Sequence, residues 1–96
     1  MKLVIWLDLA IEDLKNTGLY IAQESPKSAY EVLIKIKGAA DNLSYNPEIG
    51  RVGRVSGTRE LVITGIPYIL PYVITEKNIQ IIAVMHTSRK WPNDFH

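Results

Sequence analysis

Three observations predict an α+β fold: a 96-residue chain with 47% hydrophobic and 22% charged side chains, two successive stretches of helical apolar period, and three β-rich runs at hairpin spacing. The length allows one core, because two halves of such a chain would bury too little apolar surface to offset chain entropy. Residues 1–96 are therefore read as a single domain. The expected architecture is an N-terminal strand, a two-helix hairpin and a three-stranded antiparallel meander. The helices should pack on one sheet face and leave the other partly free.

Leu3 to Leu7 is a short run rich in branched and aromatic side chains and reads as the first strand. Asp8 then suits a helix N-cap, and Ala10, Leu14, Thr17 and Ile21 line one side of a helix reaching about Gln23, weakened in the middle by Gly18. Ser25-Pro26 is a second start signal, a hydroxyl cap followed by proline at a position whose N–H is not needed. From there Ala29, Val32, Leu33, Ile36, Ala40 and Leu43 keep helical period to about Ser44, with Lys27, Glu31, Lys35 and Lys37 largely on other faces.

Asn46-Pro47 with Gly50 and Gly53 predicts a loop of about ten residues carrying Arg51 and Arg54, either a functional loop or a plain helix-to-strand connection. Arg59 to Ile63, Tyr68 to Ile74 and Ile79 to Met85 are the three meander strands, joined by Thr64-Gly65-Ile66-Pro67 and Thr75-Glu76-Lys77-Asn78. Pro71 cannot donate to a ladder, so its strand needs either a bulge or an outward-facing position there.

Net charge is only +1, but it is unevenly spread. Between Arg51 and Lys90, six basic residues (Arg51, Arg54, Arg59, Lys77, Arg89, Lys90) stand against Glu60 and Glu76, which suits either phosphates or an acidic protein partner. Cysteine is absent, which removes disulfide, thiolate and Cys-ligated zinc chemistry and fits a reducing compartment. No run approaches the ~20 apolar residues of a membrane span, and Met1 to Leu7 is too short for a signal-peptide core. A soluble, cytoplasmic protein without membrane partners is expected.

His86 is the candidate general acid–base, falling at a strand end with an imidazole that ordinarily titrates near neutrality; its alternative is a structural or partner-binding role. Arg59 shares a sheet face with Leu61 and Ile63, where it reaches either a helix carboxylate such as Glu12 or Asp13, or a phosphate or carboxylate of a partner. Arg89, Lys90 and Trp91 combine two cations with a flat aromatic surface, a composition found at nucleic-acid sites and at protein interfaces. Tyr68 and Tyr72 share a face, and one of them meets His86 if the last two strands pair. There is no glycine-rich phosphate loop, no metal-ligand spacing and no serine nucleophile elbow, so neither metal nor nucleotide cofactor is expected.

An ordered set of residues resembles the RelE/ParE superfamily of toxins from bacterial type II toxin–antitoxin modules, sometimes labelled plasmid stabilisation proteins. It runs from Trp6, Ala10, Asp13-Leu14 and Tyr20-Ile21, through Pro26, Ala29, Asn46-Pro47 and Gly50-Arg51, to Gly57-Thr58-Arg59-Glu60-Leu61-Val62, Pro67-Tyr68-Ile69-Leu70, Tyr72, Val84-Met85-His86, Arg89 and Trp91-Pro92. The resemblance implies a cognate antitoxin and a growth-arresting activity. In its ribonuclease branch, basic side chains on the sheet cleave messenger RNA on the ribosome; Arg59 and Arg89 match two of those positions, whereas Leu61 and Ile69 replace two others.

The His86 to Pro92 ending is similar to the ParE branch, known as DNA gyrase poisons. That implies a binding poison more than an enzyme, with Arg59, His86, Arg89, Lys90 and Trp91 meeting the target. The alternative is a ribosome-dependent mRNA endonuclease with His86, Arg59, Arg89 and Tyr72 as its catalytic set.

Overall fold

Leu3–Trp6 forms β1, and a computed structural model, which describes residues 1–88, shows what the rest of the chain builds around it. Leu7 stays bound to the sheet, its N–H donating to Ile81 O at 3.0 Å, while its carbonyl already accepts from Ile11 N at 3.0 Å. Leu7 is therefore the N-cap residue, without a side-chain cap bond, and α1 runs Asp8–Ala22. Asp8 was expected as the cap; it lies instead in the first turn, where its negative charge faces the positive end of the helix dipole. Gly18 is buried because α2, Pro26–Asn42, crosses there: a Cβ on Gly18 would meet Leu33 Cδ1 at 3.0 Å.

Ser25 caps α2 as expected, its Oγ accepting from Ser28 N at 3.1 Å, with Pro26 at the first helical position. Ser25→Ala should cost about 1 kcal/mol and lower the thermal midpoint by roughly 4–8 °C, measured by circular dichroism melting. A near-zero shift would mean that this cap is replaced by water.

The sheet strands are β2 (Arg51–Val52), β3 (Arg59–Val62), β4 (Tyr68–Ile74), β5 (Asn78–Ile81) and β6 (Met85–His86). Their order is β1-β5-β4-β3-β2, with β6 also on β4. The meander of β3, β4 and β5 is antiparallel, as expected, while β1 lies parallel to β5 with Leu3 opposite Asn78 and Trp6 opposite Ile81. β2, which falls in the segment read as loop, pairs Arg51 with Glu60 and Val52 with Arg59. Two residues with both side chains exposed carry no alternation by which a strand is recognised.

The last expected strand, Ile79 to Met85, is two strands separated by a bulge. From the Tyr72/Ile81 pair to the Ile69/Met85 pair, β4 advances three residues and the opposing chain four. Pro71 sits at this break. Its carbonyl accepts from Ile82 N at 2.9 Å, but it has no N–H to return, so the ladder opens over residues 82–84.

The helices cover one sheet face. Ile36, Ala40 and Leu43 pack there against Leu61, Leu70, Tyr72, Ile79 and Ile81. Full burial of each Leu or Ile in this layer contributes about 1.5–3 kcal/mol. The opposite face has its own small cluster of Ile69, Ala83 and Met85, against which Val55 and Ile82 pack. Val52 and Val62 nevertheless remain 81% and 49% exposed.

Candidate functional site

The bulge determines where His86 points. In an unbroken strand, Met85 would share the helix-side face with Ile79 and Ile81, and His86 would face away. With one residue inserted, Met85 turns to the outer cluster, while His86 comes opposite Tyr68 on the helix side. The two rings meet edge to face, with centroids 5.2 Å apart and planes at 81°.

His86 and Tyr68 form the floor of a cleft of about 610 Å³ between the sheet and α1. Asp13, Asn16, Thr17 and Tyr20 supply its helical wall, since residues three and four apart share one side of a helix. Ser88 closes one end. Its backbone N–H donates to His86 Nδ1 at 3.1 Å, and its hydroxyl lies 2.8 Å from the same nitrogen. An Nδ1 that accepts from a backbone N–H carries no proton, so the neutral ring holds its proton on Nε2 and offers it as a donor.

Two of the residues expected to act with His86, Tyr72 and Arg59, lie elsewhere. Tyr72 is fully buried, its hydroxyl donating to Pro47 O at 2.7 Å and accepting from Gly50 N at 2.9 Å. Burial pushes its pKa up, against the Gly50 hydrogen bond and the nearby Arg59 charge, and the phenol stays protonated at neutral pH. Of the two partners expected for Arg59, the helix carboxylate is not used: its Nη1 donates to the carbonyls of Gly50 at 2.8 Å and Glu48 at 3.3 Å.

Arg59 and Tyr72 are paired across β3 and β4, and together they hold the 47–50 loop. Four residues of β4 separate them from the Tyr68/His86 pair, about 13 Å along the strand. Of the expected catalytic set, the structure therefore places Arg59 and Tyr72 at a loop anchor and His86 in the cleft. Arg89, Lys90 and Trp91 lie outside the described residues.

Arg51 is also structurally engaged. Glu60, 4% exposed, accepts from Arg51 Nε at 3.1 Å, from Arg51 Nη2 at 3.0 Å and from Arg54 N at 3.0 Å. Glu60 thus ties both ends of the 51–54 segment to β3. Asp13, offered from sequence as an ion-pair partner for Arg59, instead accepts from Val84 N at 3.0 Å. Thr17 was read as part of the packing stripe and Tyr20 only as part of the resemblance, so the cleft wall they form with Asn16 was missed; a polar row at i, i+3, i+4 and i+7 from Asp13 was its signal. Among the described residues no three His, Asp or Glu side chains converge as a metal would require, and no helix is long and apolar enough to cross a membrane.

Comparison with known proteins agrees with this architecture. The family model for the ParE toxin of the type II toxin–antitoxin system parDE matches residues 4–91. The chain is 41% identical to Y4kP of Sinorhizobium fredii over 91 residues, covering 95% of this chain and 94% of the relative. It is 35% identical to Toxin RelE2 of Caulobacter vibrioides over 89 residues, covering 93% and 99% respectively. Among solved structures, a chain of the chromosomal ParDE TA system from P. aeruginosa superposes with a TM-score of 0.82 at 25% identity, covering 92% of this chain and 98% of that one. The fold, the match along nearly the whole sequence and these relatives lead to one conclusion: the chain belongs to the ParE toxin family of type II toxin–antitoxin systems.

Proposed function

We propose that this toxin arrests growth in the cytoplasm as a poison of DNA gyrase, engaging its target through the His86 cleft and the Arg89-Lys90-Trp91 segment that follows it, until a cognate antitoxin neutralises it. The observation that carries this reading is the fate of two positions. Leu61 and Ile69, where the ribonuclease branch is basic, are 9% and 7% exposed and packed into apolar clusters on opposite sheet faces. Neither offers a charge to a phosphate.

The engagement of Arg59 and Tyr72 in holding a loop supports the same reading. So does the His86 tautomer: with its proton on Nε2, the ring presents a hydrogen-bond donor to the cleft rather than a base. The endonuclease reading draws on one feature, the accessible His86 ring beside a tyrosine in an open cleft. Expressing the chain without its antitoxin, while following plasmid supercoiling and transcript integrity together, separates the two. His86→Ala should weaken growth arrest at least tenfold and leave transcripts intact with or without the substitution. Ribosome-dependent transcript cleavage that disappears with His86→Ala would establish the nuclease.

A further inference from the structure

We infer that Asp13 is a positioning residue: from α1, its carboxylate clamps the bulge that turns His86 into the cleft. The backbone direction of β6 is fixed by Thr87 N, which donates to Pro67 O at 2.8 Å, so the alternate residues His86 and Val84 direct their N–H groups away from β4. Among the described residues β1 pairs only with β5, as far as Ile81, and no strand lies beside residues 82–86 on that side. Val84 is 5% exposed, so its outward N–H needs a protein partner, and Asp13 Oδ2 supplies one at 3.0 Å.

Pro71 opens the ladder on one side of this segment, and Asp13 holds it from the other. Without the clamp, two outcomes are available to the strand: a slip of one residue that closes the bulge, or a loosened segment with Val84 N–H unmet. The first reverses the faces of Met85 and His86, and the second lets the imidazole leave the edge of Tyr68. Asp13 thus acts on His86 through two peptide units; because it also lines the cleft, the Val84 exchange and the His86 shifts, which no direct contact with the target would move, carry the test.

The functional part of this inference rests on the proposed target-binding role of His86; the geometric part stands alone. The test uses the full chain, labelled with ¹⁵N and ¹³C. In Asp13→Ala, hydrogen exchange at the Val84 amide should rise at least tenfold relative to the Ile36 amide. The His86 ring-proton shifts should move towards those of a Tyr68→Leu variant, and growth arrest should fall at least tenfold. Asp13→Asn, which keeps an acceptor oxygen, should restore all three to within threefold or to near the wild-type shift.

Unchanged Val84 exchange or unchanged His86 shifts in a folded Asp13→Ala protein overturn the inference. So does full growth arrest by Asp13→Ala where His86→Ala is inactive. If His86→Ala itself arrests growth normally, the target-binding reading fails, while the exchange and ring shifts still decide the role of Asp13. Should Asp13→Ala not fold, Asp13→Ser, with its shorter reach, is read by the same criteria.

Discussion

Gly50→Ala is expected to lower the thermal midpoint by roughly 10–20 °C, the loss that follows from about 3 kcal/mol in a domain of this size. A Cβ at Gly50 would stand 2.6 Å from Tyr72 Oη, 2.7 Å from Tyr72 Cε1 and 3.0 Å from the Glu60 carbonyl. None of these atoms has room to withdraw. Tyr72 is fully buried at the centre of the sheet and held by two hydrogen bonds, and the Glu60 carbonyl is backbone. Relief requires moving the 47–50 loop, which breaks the hydrogen bonds from Tyr72 and Arg59 together.

Gly38 is the internal control. A Cβ there meets nothing within 4 Å, so Gly38→Ala in the middle of α2 should stabilise by about 0.5–1 kcal/mol through helix propensity. Opposite shifts from the same chemical change, followed by thermal melting, would tie the Gly50 effect to the close approach. Equal and small shifts would mean that the loop yields freely.

Tyr72→Phe is expected to destabilise by about 1–3 kcal/mol, because it leaves Gly50 N–H and Pro47 O without their partner in a buried place. Toxicity should follow stability alone: at a temperature where the variant stays folded, growth arrest should remain within about twofold of wild type. A hundredfold loss of activity in a folded variant would return Tyr72 to the catalytic set. The phenol adds a pH signature. Its pKa is raised in the folded state, so above about pH 10 the unfolded chain ionises first, binds fewer protons than the native one, and stability falls as pH rises. Tyr72→Phe should flatten that alkaline slope in urea titrations between pH 9 and 11, as the linkage requires.

The helices and the antiparallel meander of β3, β4 and β5 were legible because each rests on a local rule. Ser25-Pro26 carries its own start signal, and the Ile36, Ala40 and Leu43 stripe follows the period of the helix that it buries. The site was legible only as a set of residue types. Whether a tyrosine meets His86 at all depends on a one-residue bulge, and the bulge depends on how Pro71, the 82–84 segment and Asp13 meet across three elements far apart in sequence. Alternation read along Ile79 to Met85 has no access to that slip. The local partners of Arg59 and Glu60 were hidden for a related reason: they are loop carbonyls and the Arg51 side chain, and β2 is too short to be recognised in advance.

Structural use of Arg51 and Arg59 also changes the meaning of the basic C-terminal half. Two of its six cations hold the fold; under the proposed function this shifts the weight of target recognition to the cleft around His86 and to Arg89 and Lys90. A binding poison needs shape and a few donors at such an edge, whereas a nuclease needs a base, an acid and charge gathered on one phosphate.

The most direct measurement is a supercoiling reaction with purified gyrase, relaxed plasmid and the full-length chain, run beside a translating extract supplied with a defined messenger RNA. Gyrase poisoning predicts lost supercoiling with accumulated cleaved plasmid, reversed by the cognate antitoxin, and an intact message. Normal supercoiling at saturating toxin, together with cleavage of the message on the ribosome, would contradict it.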